Sequence, residues 1–317
     1  MYYIGIDLGG TNIVASVVDD TYRILGTGKL KTATPRPADE IFDDMAAAAR
    51  TAVKNAGLTM DDIEAVGVGS PGTVNAATGF IEFSNNLGFD QLPAKQMLEE
   101  RLNKEVFFEN DANAAALGEA YAGCGNGVQN FIAVTLGTGV GSGIIVKGKI
   151  FNGCNFAGGE CGHMVINVDG EKCTCGRNGC WEAYASATAL IRQTKAAMGA
   201  NPESYMWELV KENNGKVSGR TAFDAMRKGD AAGKYVVEKY VKYVSEGIVN
   251  LVNIFQPDMI CVGGGISNEG DTLLNPINEY CSKHHYSIHS SVQTKIVKAE
   301  LGNNAGVIGA AILAMNK

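Results

Sequence analysis

The sequence predicts an α/β protein of two lobes with a cleft between them. Three observations predict it. Strands come in antiparallel groups and then join helices. One pattern occurs twice: IGIDLGGTNIVASVV near the start and IAVTLGTGVGSGIIV in the middle both read strand, glycine/threonine turn, strand. Finally, 317 residues, 45% hydrophobic and 19% charged, suggest two domains or one large bilobal unit with real cores.

Taken in order, residues 2–8 read as a buried strand, 9–12 as a turn and 13–19 as a second strand. The β-branched run after the glycines matters. A Walker loop or a dinucleotide-binding turn leads from strand into helix, and this one leads from strand into strand. Residues 24–32 add a third antiparallel strand. Ile41, Met45, Ala48, Ala49, Ala52 and Val53 recur at helical spacing across 38–56, and Gly57 is a stop signal. Residues 63–72 form a strand running into a Ser-Pro-Gly turn, 91–103 a helix and 106–109 a short strand. A second pass begins with the helix-favouring 112–122, followed by a strand over 130–136, a turn at 137–139 and a strand over 143–146. Helices are expected near 185–198, 204–213, 221–228 and 230–254, the last stopping before Pro257. Then come a strand ending in a glycine turn (258–267), a helix (271–284), a strand (292–297) and an Ala-rich helix (303–315). The expected division is a small lobe over 1–110, with the C-terminal helix 303–317 packing on it, and a large lobe over 111–302.

The formal net charge of −7 leaves no basic surplus to neutralise phosphates, so nonspecific nucleic-acid binding is not expected. The chain opens on an apolar strand with no basic leader, and no apolar run reaches about 18 residues, so no membrane partner is expected. Cys124, Cys154, Cys261 and Cys281 are scattered through a chain too long to need staples, which points to a reduced cytoplasm.

His163, Cys173, Cys175 and Cys180 are spaced H-x9-C-x-C-x4-C, a Cys3His set of the kind that holds one structural Zn2+ in a tetrahedron. Gly176 and Gly179 supply the tight loop that aims two sulfurs inward. The competing readings are a disulfide pair and unrelated thiols. Three glycine turns end strands: Gly9-Gly10-Thr11, Gly137-Thr138-Gly139 and Gly263-Gly264-Gly265. Each can bring backbone N–H groups against phosphate oxygens, and three together point to phosphate binding. Asp7, beside the first turn, is placed to hold Mg2+ through water; alternatively it bonds its own turn.

Asp111 follows FFEN and opens a helix. It reads as an N-cap, and equally as a carboxylate able to take the proton of a sugar hydroxyl attacking a γ-phosphate. Asn110 beside it is a candidate sugar contact, while Glu109 reads as a plain strand residue. Glu160 and Glu182 flank the cysteine loop and offer acceptors to a polyol. His163 could ligate metal with one ring nitrogen and meet a sugar oxygen with the other. Asn85 and Asn86 are candidate sugar contacts from the first lobe, or simply a turn.

With these runs in hand, DLGGTN, END, LGTGVGSG, GGECGH with CTCGRNGCWE, and VGGGIS are similar to the ROK family of bacterial sugar kinases and related repressors, in order and along essentially the whole chain. The resemblance implies an actin-like, hexokinase-type (ribonuclease H-like) ATPase fold with an interlobe cleft. It implies ATP and a hexose as ligands, and Asp111 as catalytic base. Asn110, Glu160, His163 and Glu182 become sugar contacts, zinc sits on the Cys3His set, and the assembly is a homodimer. Repressor members carry an N-terminal helix-turn-helix; here the first strand starts at residue 2, which points to the kinase branch. Asn12 departs from the lysine that many members have after the GGT turn. Glucose is the expected hexose, with fructose, mannose, N-acetylmannosamine and allose as alternatives. A sugar sensor without catalysis and an actin-like structural ATPase are less consistent with Asp111 and the cysteine loop.

Overall fold

The computed structural model describes residues 1–316. It opens with β1 (Tyr2–Leu8), β2 (Asn12–Asp19) and β3 (Ile24–Lys31), then α1 (Ala38–Asn55), β4 (Ile63–Ser70), β5 (Thr73–Asn75), β6 (Phe80–Ser84), β7 (Phe89–Leu92), α2 (Ala94–Leu102), β8 (Val106–Asn110) and α3 (Asp111–Ala122). Next come β9 (Phe131–Leu136), β10 (Val140–Val146), β11 (Lys149–Ile150), α4 (Glu182–Ala185), α5 (Ala187–Ala200), α6 (Met206–Glu212), α7 (Thr221–Arg227) and α8 (Ala231–Phe255). The chain closes with β12 (Met259–Gly263), α9 (Asp271–His284), β13 (Lys295–Lys298) and α10 (Ala305–Met315).

The α/β class read from the sequence is the class observed. One five-stranded sheet has the order β3-β2-β1-β4-β8, and a second has the order β11-β10-β9-β12-β13. A small three-stranded sheet, β5-β6-β7, was not anticipated. Its last strand occupies the start of the expected 91–103 helix, which begins only at Ala94, after Pro93. Proline at that point suits a helix start and forbids an earlier one. The chain divides into two compact units. One comprises residues 1–133, 143–159 and 299–316; the other comprises 134–142 and 160–298. Residues 111–133 thus group with the N-terminal strands.

In the first unit α1 buries Ile41, Phe42, Met45, Ala48, Ala49 and Ala52 against β2 and β3, a helical stripe on a two-residue sheet period. The other face of that sheet is covered by α10. The approach is close: a methyl group on Gly5 would come within 1.8 Å of Val307 O, and one on Gly67 within 1.7 Å of Ala310 O. Backbone-to-backbone packing of this kind locks the start of α10 near the ends of β1 and β4. In the second unit Trp181 is wholly buried and donates Nε1–H to Tyr243 O at 2.8 Å, tying the residues around it to α8. Among the described residues no helix is long and apolar enough to cross a membrane.

Candidate functional site

In the first unit, parallel strands set Asp7 opposite Gly69 and Gly69 opposite Glu109, so three strand ends lie in one row. Ligand chemistry in α/β sheets gathers at such carboxyl ends. Burial, and next the charge of Asp111, push the Asp7 carboxyl up to about 6. Asp7 also abuts the first turn of α10: a methyl group on Gly306 would lie 2.9 Å from Asp7 Oδ2. That position was not legible in the sequence as part of the site.

Asp111 is the first residue of α3, not its cap. Asn110 caps the helix, its Oδ1 accepting from the N–H groups of Ala112 (2.9 Å) and Asn113 (3.2 Å). The neighbouring amide was overlooked because Asn and Asp cap equally well. Asn110 Nδ2 donates to Gly72 O at 3.1 Å, which leaves one of its two N–H groups for a ligand. Asp111 Oδ1 accepts from Ala112 N–H at 2.9 Å. Burial raises the Asp111 pKa and outweighs these hydrogen bonds, which pull it down.

Glu109 is more than the plain strand residue expected. It is 1% exposed and accepts from Asn110 N–H (2.9 Å), Asn113 Nδ2 (3.0 Å) and Asn152 Nδ2 (3.0 Å). A buried carboxylate with three donors holds the start of α3 to the 150s loop. Nothing in the local sequence pattern distinguishes this from an ordinary strand end.

The first glycine turn, Gly9 to Asn12, is fastened by Thr32 and Thr34: Thr32 N–H reaches Thr11 O (3.0 Å), Thr32 Oγ1 reaches Gly9 O (2.5 Å) and Thr34 Oγ1 reaches Gly10 O (3.2 Å). Asn86 stands beside it, its Cβ 4.0 Å from where a Gly10 methyl would lie. Asn85 and Asn86 are both exposed, in the turn between β6 and β7.

In the second unit, Gly137 O accepts from Ala187 N–H (2.8 Å) and Thr138 O from Thr188 Oγ1 (2.8 Å), so the start of α5 holds the second turn. The third turn is its neighbour. Gly264 has φ +82° and lies so close to Leu136 that a methyl group would sit 2.6 Å from Leu136 O. Gly263, Gly264 and Gly265 therefore join Gly137, Thr138 and Gly139 in one place. Glu182 Oε2 accepts from Val140 N–H at 3.0 Å, just past the second turn, while Oε1 lies 3.4 Å from Thr174 Oγ1. Glu182 thus links that turn to the cysteine loop. Glu160 is exposed and sits one 3-10 turn from His163, whose N–H donates to Glu160 O at 3.1 Å.

The cysteine loop brings His163, Cys173, Cys175 and Cys180 together, all four ligand atoms lying within 4.8 Å of one another. Bonds of about 2.3 Å to sulfur and about 2.0 Å to nitrogen in a tetrahedron require S···S near 3.8 Å and S···N near 3.5 Å. The structure has 3.6 Å between the sulfurs of Cys175 and Cys180, and 3.5 Å between Cys173 Sγ and His163 Nδ1. None of the eight cysteines forms a disulfide, which would need about 2.0 Å between sulfurs. The donor set and spacing fit zinc. His163 turns Nδ1 to the sulfurs, leaving Nε2 for another partner. Gly176 and Gly179 take φ +92° and +74°, the left-handed geometry the tight loop demands.

The model of the ROK family matches residues 3–317. The chain is 38% identical over 313 residues to the glucokinase of Streptomyces coelicolor, covering 98% of this chain and 96% of that one. It is 36% identical over 310 residues to the glucokinase of Halalkalibacterium halodurans, covering 97% and 93%. The crystal structure of a ROK family glucokinase from Streptomyces griseus in complex with glucose and AMPPNP matches with a TM-score of 0.83 at 37% identity, covering 100% of both chains. The chain belongs to the ROK family. Its two-lobed, hexokinase-type fold class is that of the family's glucokinases.

Proposed function

We propose that this protein is a glucokinase, transferring the γ-phosphoryl group of ATP to the 6-hydroxyl of D-glucose. Full-length similarity to glucokinases supports the substrate pair. The observation that carries the chemistry is Asp111: a helix-initiating carboxylate with its pKa raised by burial, beside a second acid. The sugar hydroxyl donates to Asp111. As its oxygen bonds to the γ-phosphorus, the proton passes to Asp111, the bond to the β,γ-bridging oxygen breaks, and ADP leaves with that electron pair. A carboxylate pushed upward is a better proton acceptor than an ordinary one.

Asn85, Asn86, the remaining N–H of Asn110, Glu160, His163 Nε2 and Glu182 are assigned to sugar hydroxyls. Gly9, Gly10, Thr11 and Asn12, with Gly137, Thr138, Gly139, Gly263, Gly264 and Gly265, are assigned to the nucleotide phosphates. Asp7 is a hard oxygen donor at a strand end, suited to Mg2+ through water. The ion would supply positive charge that offsets the charge of the phosphates. Zn2+ is assigned to His163, Cys173, Cys175 and Cys180 as a structural ion, since four protein ligands leave no open position. Eight cysteines without a disulfide suit a reducing cytoplasm. A homodimer follows the family resemblance and is checked by light scattering against the chain mass of 33.4 kDa.

The test is a coupled ADP-release assay over a hexose panel, with ATP and then polyphosphate as donor. Glucose with ATP should give the highest kcat/KM. A preference for another hexose, or for no hexose at all, would refute the assignment.

A further inference from the structure

The first glycine turn is closed on its acceptor side. Besides the three bonds from Thr32 and Thr34, Asn12 O accepts from Gly9 N–H at 2.9 Å, so the carbonyls of Gly9, Gly10, Thr11 and Asn12 are all bonded within the protein. An anion seated on this turn meets no bare carbonyl to repel it.

The strand that closes the turn also brings a cation. Antiparallel register sets Lys31 directly opposite Asn12, and Lys31 Nζ donates to Asn12 Oδ1 at 2.8 Å. Thr32, the next residue, is wholly buried and bonded twice to the turn, so the backbone carrying Lys31 is fixed relative to it. Among the described residues no carboxylate forms an ion pair with Lys31. An ammonium has three donors, and Asn12 takes one, leaving two for an incoming oxygen. A neutral amide therefore steers the charge without cancelling it. A second lysine at position 12 would oppose like charges across the strand pair, which is unfavourable.

We propose that Lys31 is a phosphate-contact residue: its ammonium, held by Asn12, binds a phosphate oxygen of the nucleotide on the Gly9–Asn12 turn. This rests on the kinase reading above.

The experiment compares Lys31→Gln with the exchange variant Asn12→Lys/Lys31→Asn, which moves the ammonium to the other strand of the pair. Lys31→Gln should raise the KM for ATP by roughly 10-fold or more, the weight of one charge-assisted hydrogen bond, with the KM for glucose and the melting temperature unchanged. ADP binding by calorimetry should weaken in parallel and lose part of its salt dependence. The exchange variant should recover most of the loss. An ATP KM within about twofold of wild type for Lys31→Gln, or ATP and glucose KM rising together, would overturn the proposal. So would an exchange variant as defective as Lys31→Gln. The calorimetric arm needs no turnover: Lys31-dependent ADP binding in a protein that phosphorylates no hexose would leave Lys31 assigned and the glucokinase reading refuted.

Discussion

The two duplicated hairpins share a backbone and differ in charge. In β1 the turn is preceded by Asp7; at the matching position of β9 stands Thr135. The first turn is fastened by the end of β3, which carries Lys31; the second is fastened by the start of α5 and by Glu182. Local sequence sets both hairpins. What each hairpin can do depends on the tertiary partner that closes it. The first gathers acids and a cation around a turn. The second lacks the strand-end acid, meets a third glycine turn, and is tied by Glu182 to the cysteine loop.

The comparison breaks most visibly at Asp7. Asp7→Asn should cut turnover by roughly two to three orders of magnitude, the scale of losing a metal's charge stabilisation, whereas Thr135→Val should cost a few-fold at most. Stability should move the other way. An acid raised from 3.8 to about 6 stabilises the fold only while protonated. That contribution is whole below about 3.8 and is lost as pH rises through about 6. Metal-free Asp7→Asn should therefore melt higher than wild type at pH 7.5, by the equivalent of roughly 1–3 kcal/mol, with the gap closing toward pH 4. Differential scanning calorimetry across that range reads it.

The zinc proposed for the second unit gives the next test. Cys180→Ser, or stripping zinc with a strong chelator, should lower the melting temperature by more than about 5 °C and weaken glucose binding, because Glu182 and His163 lose their frame. Elemental analysis should find about one zinc per chain before treatment and none after. Full stability and affinity without metal would show that the loop is self-supporting.

Smaller effects separate the two closures. Thr32→Val removes a buried hydroxyl bond to Gly9 O and should raise the ATP KM roughly tenfold; Thr188→Ala, losing one exposed bond to Thr138 O, should raise it about two- to threefold. Equal effects would argue that the turns are used alike.

Much of this was legible in the sequence. Periodicity located the main strands and helices to within a few residues, because apolar spacing reports directly on which face is buried. The cysteine spacing and its two glycines pointed to a loop whose four candidate ligand atoms lie within 4.8 Å of one another. What was missed depends on distant neighbours. Gly306 is required by Asp7, and Gly247 by the Trp181 ring, which would lie 2.0 Å from its Cβ. Glu109 is functional in appearance only once Asn113 and Asn152 arrive. The β5-β6-β7 sheet is short and mixed in polarity, so alternation gave no signal. The cap at Asn110 and the helix start at Asp111 are one residue apart, below what pattern reading resolves.

The central claim, that Asp111 takes the proton, is tested most directly by Asp111→Asn, measured for steady-state rate and, by calorimetry, for glucose binding. The cap belongs to Asn110, so the fold should survive, with glucose affinity near wild type. Turnover should fall by roughly two to four orders of magnitude. In the wild type, kcat/KM should decline as pH falls through the raised Asp111 pKa, above the usual carboxylate range, and this limb should vanish in the variant. An Asp111→Asn protein that binds glucose and turns over at a near-normal rate would contradict the account.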